Sequence, residues 1–288
     1  MRNVTEENLT EAVLRQITAQ DPRVQQVVTS LVRHLHAFIR EVEPTEDEWF
    51  TAIDFLTRTG QKCDAQRQEF ILLSDTLGVT MLVDAINHRL AEGVTETTVT
   101  GPFHAAALEM GNGAMIARGP EGQRGNHAVV RGRVLDVNHN PLAGVKVDVW
   151  QSDDDGFYDV QDENQPEMNL RAILTTDEHG EYWFRTVRPS SYPIPTDGPV
   201  GELLLATGRH PMRPAHIHFR LTHPHYKRLT THVFVEGDEY LDSDAVFGVK
   251  DSLVVPFVLN EDRAKAAEYE FPGPFYEANF DFTLEASQ

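Results

Sequence analysis

Two histidines at alternate positions, His216 and His218, have the clearest capacity for chemistry in this sequence. They belong to the segment RPAHIHFR (213–220), in a region rich in β-branched and aromatic residues that predicts a β-strand over 215–221. Side chains alternate between the two faces of a strand, so both imidazoles would point the same way and could form half of a metal site. A solvated pair of histidines is the ordinary alternative, and the motif alone does not decide between them.

Two tyrosines in loops could supply the other half of such a site. Tyr158 follows an acidic turn after the segment that ends at Trp150, and Tyr192 lies between serines and prolines in RPSSYPIPTDGPVG. A phenolate oxygen is a hard donor and an imidazole is intermediate, so two of each suit Fe³⁺ better than Zn²⁺. Two phenolates and a hydroxide would also balance the charge of a trivalent ion in a partly buried cleft.

Composition limits the partners that this chain can have. Its 288 residues contain 45 acidic and 25 basic side chains, for a formal net charge of −20. That charge argues against nucleic acid and anionic lipid surfaces as partners, but not against a small neutral substrate. Cys63 is the only cysteine, which excludes an intrachain disulfide and a cysteine-based metal cluster. No segment suggests a signal peptide or membrane insertion, so we expect a cytoplasmic protein.

The elements that must position these side chains change in type along the chain. Residues 5–92 show helical periodicity, with a capping box at Thr45 and Glu48 and a long pattern over 70–90 in which Gly78 is the weak point. One helix carries an apolar stripe: Val24, Val27, Val28, Leu31, Leu35, Phe38 and Ile39. The glycine-rich segment 111–125 predicts a loop, and it lacks the Gly-Lys-Ser/Thr sequence of a phosphate loop.

Residues 128–260 predict antiparallel strands joined by tight turns. One strand–turn–strand unit turns at 138–141, and a hairpin is expected over 175–185 with its turn at His179 and Gly180. Further strands are expected over 216–221, 229–235, 253–259 and 279–284. The fold class is therefore α+β, with a helical N-terminal domain over 1–100 and an antiparallel β-sandwich catalytic domain over 101–288.

The spacing of Tyr158, Tyr192 and the segment RPAHIH (213–218) resembles that of the intradiol ring-cleavage dioxygenases, the non-haem iron enzymes that open catechols. The resemblance covers nearly the whole chain. The segments 147–156, 192–201 and 231–250 look most like the members that act on hydroxyquinol (1,2,4-trihydroxybenzene), and His232 stands where catechol-cleaving relatives often carry Gln.

The resemblance implies a role for each of these residues. Tyr158, Tyr192, His216 and His218 would hold Fe³⁺, and Tyr192 would leave the metal as substrate binds and accept one of its protons. Arg213 would stabilise negative charge on the ring, which is opened between two hydroxyls by O₂. The implied substrate-binding residues are Met81, Asp84, Val99, Pro102, Ile194, Pro195, Arg213, His232 and Val246. Among them, Asp84 could accept a hydrogen bond from a third hydroxyl.

Several alternatives remain open at this level. Catechol or a chlorocatechol could replace hydroxyquinol as the substrate, and a transthyretin-like β-sandwich without enzymatic activity would share the strand pattern. The apolar helical stripe exceeds what a thin helical layer can cover, which together with the resemblance predicts a homodimer through the N-terminal helices. Whether that helical face also holds a lipid in a groove is left open.

Overall fold

The computed structural model describes residues 2–64, 67–119 and 126–287. The chain divides into two compact units, Met1–Arg58 and Thr59–Gln288. The α-helices are α1 (Leu9–Leu14), α2 (Pro22–Val42), α3 (Glu46–Gln61), α4 (Glu69–Thr76), α5 (Val79–Asn87), α6 (Pro199–Ala206) and α7 (Arg263–Glu268). Among the helices of these residues, none combines the length and hydropathy that a bilayer crossing requires. The domain boundary at residue 100 stays a prediction.

The β-strands follow the helical part of the chain. They are β1 (His127–Asp136), β2 (Lys146–Trp150), β3 (Arg171–Thr175), β4 (Glu181–Val187), β5 (Tyr192–Pro193), β6 (Met212–Arg213), β7 (His216–His223), β8 (Tyr226–Val235), β9 (Val254–Val255), β10 (Val258–Asn260), β11 (Phe275–Asn279) and β12 (Phe282–Leu284).

The first unit consists of α1, α2 and most of α3. The Asp21 side chain caps the start of α2 by accepting a hydrogen bond from the Arg23 N–H at 2.7 Å. The capping box before α3 is confirmed: the Thr45 N–H donates to Glu48 Oε2 at 2.7 Å, and the Glu48 N–H donates to Thr45 Oγ1 at 3.3 Å. Helix α2 has no buried residue.

In the second unit, the helical pattern over 70–90 is interrupted. Helix α4 ends at Thr76 and α5 begins at Val79, with Gly78 between them at φ +71°. A glycine in the left-handed region is a common way to end a helix, because it has no Cβ to clash there. Side chains of α4 and α5 therefore do not continue along one helical face.

Two five-stranded sheets form the β-sandwich that the sequence predicts. In the first sheet β1 is central and pairs with β4, β11 and β12, while β10 pairs with β11; the second has the order β3-β2-β7-β8-β9. Their inner faces share one apolar core, to which Phe184 contributes from the first sheet and Phe219 from the second. The sheets are mixed, because β1 pairs in parallel with β11 and β12, as β8 does with β9. The purely antiparallel arrangement was not found.

The hairpin predicted over 175–185 is wrong, although its turn is present. Gly180 has φ +73° and its N–H donates to the Asp177 carbonyl at 3.0 Å. However, β3 pairs with β2, whereas β4 pairs with β1 in the other sheet. A tight turn between alternating strands looks the same in sequence whether it closes a hairpin or crosses between sheets. Strands β1 and β2 are likewise divided between the two sheets.

Two further predicted strands are each interrupted. The segment 253–259 contains β9 and β10, which belong to different sheets, and the final segment contains the end of β11 and then β12. Within the predicted loop over 111–125, Met115 forms an isolated bridge with Arg185. Its residues 120–125 lie outside the described part of the chain.

Candidate metal centre

Strand β7 carries two buried histidines on the face opposite the sandwich core. Ile217 and Phe219 point into the core, while His216 and His218 point away from it and are each only 1% exposed. The strand lies between β2 and β8, so ladder hydrogen bonds hold its backbone on both sides. The indole of Trp150 stacks on the His218 ring at 4.7 Å. The two imidazoles are therefore held rigidly.

Four donor atoms meet above this face and form a closed ring of short distances. The Tyr158 hydroxyl oxygen lies 3.0 Å from His218 Nε2 and 3.1 Å from the Tyr192 hydroxyl oxygen. The Tyr192 oxygen lies 3.3 Å from His216 Nε2, and the two Nε2 atoms are 3.2 Å apart. The structure thus brings together all four side chains that the sequence predicts as metal ligands.

Local packing delivers both tyrosines to this point. Tyr192 belongs to β5, whose pairing with β6 places it directly opposite Arg213. Tyr158 is completely buried, and the Phe103 ring stacks on it at 4.7 Å. Gly156, at φ +88°, lets the two loops approach, because a Cβ there would lie 2.6 Å from the Tyr192 Cβ. A larger residue at position 156 would separate the tyrosines.

Burial makes the four groups unfavourable as ions in the absence of a cation. It raises the pKa of Tyr158 well above its ordinary value, with a further rise from Tyr192, and it also raises the pKa of Tyr192. Burial, with help from the Arg213 charge, lowers the pKa of His216 to about 3, and burial likewise lowers the pKa of His218. The two phenols thus need a strong cation to become phenolates, whereas the imidazoles are neutral and can donate lone pairs.

The orientation of His216 also suits metal binding. Its Nδ1 lies 2.7 Å from the Pro214 carbonyl oxygen, which can only accept, so the proton lies on Nδ1 and the Nε2 lone pair faces the other donors. Two neutral imidazoles and two ionisable phenols fit a hard trivalent ion such as Fe³⁺.

Arg213 places a fixed positive charge beside the donors. It is 4% exposed, and its Nη1 lies 3.2 Å from His216 Nε2. Its Nε donates to Asp244 Oδ1 at 3.2 Å, and that carboxylate also accepts from the Gly248 N–H at 2.9 Å. Although burial opposes both charges, each stabilises the other: the pKa of Arg213 is raised and that of Asp244 is lowered. The guanidinium is therefore permanently charged and held in place.

A third imidazole, His232, lies next to the two on β7. Strand register places it opposite His218, and the two ring centroids are 4.2 Å apart. One nitrogen from each of His216, His218 and His232 lies within 4.8 Å of the others. His232 Nδ1 is 2.6 Å from Thr98 Oγ1, whereas its Nε2 has no partner among the described residues.

The second unit contains a cavity of about 460 Å³. Phe103, which stacks on Tyr158, is part of its wall, as are Pro102 and Pro195. Asp75, at the end of α4, also lines it; this side chain is 6% exposed, and its Oδ1 has no hydrogen-bond partner within the described residues. Burial raises the pKa of Asp75. One oxygen of the Asp75 carboxyl group is therefore unsatisfied among the described residues.

Sequence reasoning missed Asp75, although one signal was available. The residue ends the apolar run FILLSD (70–75), where a buried carboxylate is unusual unless it has a partner or a function. Leu72, one turn earlier on α4, packs against the apolar cluster that contains Ile194 and Val246. The side of α4 that carries both residues therefore faces the predicted pocket walls.

The remaining predicted pocket residues lie elsewhere. Asp84 and Val99 line a different cavity of about 600 Å³. Both oxygens of Asp84 already have partners: Oδ1 lies 2.8 Å from His88 Nδ1, and Oδ2 accepts from Thr97 Oγ1 at 2.7 Å. Met81 is half-buried on α5 and is absent from the described walls of both cavities.

Two family models and two curated relatives match most of this chain. The family model "Catechol dioxygenase N terminus" matches residues 21–95, and the model "Dioxygenase" matches residues 99–286. The chain is 49% identical over 284 residues to hydroxyquinol 1,2-dioxygenase of Rhizobium sp. (strain MTP-10005). The alignment covers 98% of this chain and 95% of that relative. It is 50% identical over 273 residues to 6-chlorohydroxyquinol 1,2-dioxygenase of Cupriavidus pinatubonensis, and that alignment covers 94% of this chain and 98% of the relative.

A solved structure shows the same architecture. Hydroxyquinol 1,2-dioxygenase from Pseudomonas putida DLL-E4 superposes with a TM-score of 0.91 at 50% sequence identity. The superposition covers 98% of this chain and 99% of that one. The similarity therefore includes the helical part, the sandwich and the donor-bearing loops.

Proposed function

The chain belongs to the intradiol ring-cleavage dioxygenase family, and from this membership we propose that it cleaves hydroxyquinol with O₂. The bond between two neighbouring hydroxyl-bearing carbons breaks, both atoms of O₂ are consumed, and the product is 3-hydroxy-cis,cis-muconate or its tautomer maleylacetate. The observation that carries the proposal is the convergence of two phenols and two imidazoles, in which each donor atom lies within 3.3 Å of two others. Membership in an enzyme family excludes the binding-module alternative.

We propose that Tyr158, Tyr192, His216 and His218 hold one Fe³⁺. When bound, this ion supplies Lewis-acid polarisation and a template for the substrate. The two phenolates neutralise two of its three charges, so a buried site can accommodate it. Burial raises the pKa of Tyr192 in the absence of metal, so a Tyr192 phenolate that left the ion would be suited to accept a proton from a substrate hydroxyl.

Arg213 is suited to act on the substrate as an anion. Its guanidinium cannot lose its proton, and Asp244 prevents it from turning away from the donors. A fixed positive charge in a buried site stabilises negative charge that develops on the ring and requires little reorganisation. We therefore assign Arg213 to the catalytic machinery together with Tyr192.

Substrate choice depends on what recognises the third hydroxyl. The sequence predicts Asp84 for this role, but both oxygens of that carboxylate are engaged with Thr97 and His88. Asp75 lines the cavity beside Phe103 and Pro195, and one of its carboxyl oxygens is buried without a partner among the described residues. We therefore propose Asp75 as the acceptor for the third hydroxyl, which favours hydroxyquinol over catechol and the chlorocatechols.

Product analysis tests this function most directly. The purified, iron-loaded protein is incubated with hydroxyquinol, catechol and a chlorocatechol in parallel, and the products and O₂ consumption are measured. We expect ring-opened product from hydroxyquinol at the highest kcat/KM. Preference for catechol would overturn the proposed substrate but not the reaction type. Failure to open any diol ring would overturn both.

We further propose that the protein is a homodimer through α2 and the start of α3. The exposed apolar residues of α2 are Val24, Val27, Leu31, Leu35, Phe38, Ile39 and Val42, each between 40% and 61% exposed. Trp49 and Phe50 on α3 are also at least half exposed. A monomer rarely leaves such an area uncovered. Light scattering at micromolar concentration should give twice the chain mass, while mass spectrometry of extracted lipids tests whether a lipid also occupies this face.

A further inference from the structure

We propose that Thr98 fixes His232 in the tautomer that carries its proton on Nε2, so that His232 donates a hydrogen bond to a substrate oxygen and is withheld from metal ligation. The donor role adds to the proposed function and depends on it. The tautomer assignment does not depend on the proposed function, because it follows from contacts within the protein.

The contact between the two residues is buried and well supported. Thr98 is 3% exposed and His232 is fully buried, with 2.6 Å between Thr98 Oγ1 and His232 Nδ1. The Thr98 N–H donates to the Thr230 carbonyl at 2.9 Å, which ties this segment to β8 two residues before His232. The hydroxyl and the ring are therefore held at a fixed separation.

Counting protons decides the direction of this hydrogen bond. A threonine hydroxyl has one proton, and a neutral imidazole has one N–H and one lone pair. His232 Nδ1 is the sole partner of Thr98 Oγ1 among the described residues. If Nδ1 carried the proton and donated it, two buried groups would lack partners, the hydroxyl proton of Thr98 and the Nε2 lone pair. With the proton on Nε2, only that N–H lacks one, which is less unfavourable. Thr98 therefore donates, Nδ1 accepts, and the proton of His232 is on Nε2.

This assignment separates the three clustered imidazoles by role. The carbonyl of Pro214 accepts from His216 Nδ1 at 2.7 Å and turns a lone pair toward the metal donors. Thr98 has the opposite effect on His232, because it occupies the lone pair and leaves an N–H on the other nitrogen. A protonated nitrogen cannot ligate a metal. The structure thus keeps a two-tyrosine, two-histidine set in preference to a three-histidine set.

A protonated Nε2 on His232 could donate a hydrogen bond to a bound ligand. His232 Nε2 is buried and without a partner among the described residues, so a ligand that supplied an acceptor would satisfy it. A diol that binds as an anion brings oxygen atoms of this kind into the cluster. Arg213 is already a donor there, and His232 would be a second, uncharged one.

Nitrogen NMR tests the tautomer without any catalysis. The full-length, metal-free protein is labelled with ¹⁵N in histidine, and His232 is assigned by comparison with the variant His232→Gln. We expect a lone-pair shift for Nδ1 and a protonated shift for Nε2 in the wild type and in Thr98→Ser. In Thr98→Val, which keeps the shape but loses the hydroxyl, the preference should fall by roughly 3- to 10-fold. Protonation of Nδ1 in the wild type, or an unchanged pattern in Thr98→Val, overturns the assignment.

Substrate binding tests the donor role. Hydroxyquinol and catechol are titrated without O₂ into the iron-loaded enzyme and followed by its visible absorption. We expect Thr98→Val to weaken binding of both by roughly 3- to 10-fold, and Thr98→Ser to restore it. Wild-type affinity in Thr98→Val despite an altered tautomer would overturn the donor role. If the wild type itself neither binds nor cleaves hydroxyquinol, the proposed function fails while the NMR result still decides the tautomer.

Discussion

Helix α2 in the first unit and the donor cluster in the second both depart from the usual distribution of polarity. The helix exposes side chains that are usually buried, and the cluster buries side chains that are usually exposed. Helix α2 exposes apolar side chains such as Leu31 and has no buried residue. The donor cluster buries ionisable side chains such as Tyr158 and His218 almost completely. Each arrangement is unfavourable for an isolated chain, since exposed apolar area and buried polar groups both cost free energy. The comparison supports our two proposals that something outside the chain completes each region: a second copy for α2 and a metal ion for the cluster.

The largest expected effect comes from removing a metal ligand. The wild type should contain about one iron per chain and show the colour of tyrosinate bound to Fe³⁺. We expect Tyr158→Phe and His216→Ala to lose nearly all iron and colour, because ligand removal should exceed the roughly 10- to 100-fold effect of outer-shell changes. Metal analysis and visible spectra of the folded variants give the measurement. Full iron content in either variant would show that the residue is not a ligand.

Acid should destabilise the metal-free protein steeply because of its buried imidazoles. Burial lowers the pKa of His216 to about 3 and the pKa values of His218 and His232 well below normal. Below about pH 6.5 the unfolded chain binds protons that the folded protein does not, so the free energy of unfolding decreases as pH falls. Three such groups give a slope of roughly 4 kcal/mol per pH unit between about pH 6 and 4. Denaturant titrations at several pH values measure it.

A pair of variants shows whether that slope belongs to the cluster. His232→Gln should reduce the slope by about one third, since one of the three imidazoles is removed. His179→Gln is the control, because it also removes one imidazole, but from a side chain that is 74% exposed. Equal slopes in both variants would contradict a role for the buried imidazoles.

A charge on the apolar face of α2 should break the proposed dimer. Leu31 is 61% exposed in the single chain, and burying such a leucine against a partner contributes about 1.5–3 kcal/mol per copy. Leu31→Glu should therefore shift light scattering toward the monomer while leaving the circular dichroism spectrum unchanged. Gln26→Glu adds the same charge away from the apolar stripe and should remain dimeric. A dimeric Leu31→Glu protein would place the interface elsewhere.

The smallest expected effect concerns the third hydroxyl of the substrate. If Asp75 accepts a hydrogen bond from that hydroxyl, Asp75→Asn should lower kcat/KM for hydroxyquinol relative to catechol by about 1–3 kcal/mol of transition-state stabilisation. Asp84→Asn is the matched control, since that carboxylate is bonded to Thr97 and His88, and it should leave the ratio unchanged. A change in the ratio for Asp84→Asn alone would return the role to Asp84.

Local patterns in the sequence were sufficient for the features that depend on neighbouring residues. The alternation in β7 predicts that His216 and His218 share a face, because the strand period is two. The capping box at Thr45 and Glu48 depends only on residues three positions apart. The residue types and their spacing also led to the family and to a four-donor set that the fold does bring together.

Tertiary structure alone decided which distant segments meet. The turn at Gly180 was predictable, but its crossing between sheets was not, since strand pairing depends on contacts far apart in the chain. Gly78 separates α4 from α5, and Asp75 and Asp84 line different cavities. The hydrogen bond from Thr98 to His232 joins residues 134 positions apart, and no local sequence pattern predicts it. Sequence determined the chemical groups and their local faces, whereas long-range packing determined which groups are buried together, because strand pairing and loop contacts join residues far apart in the chain.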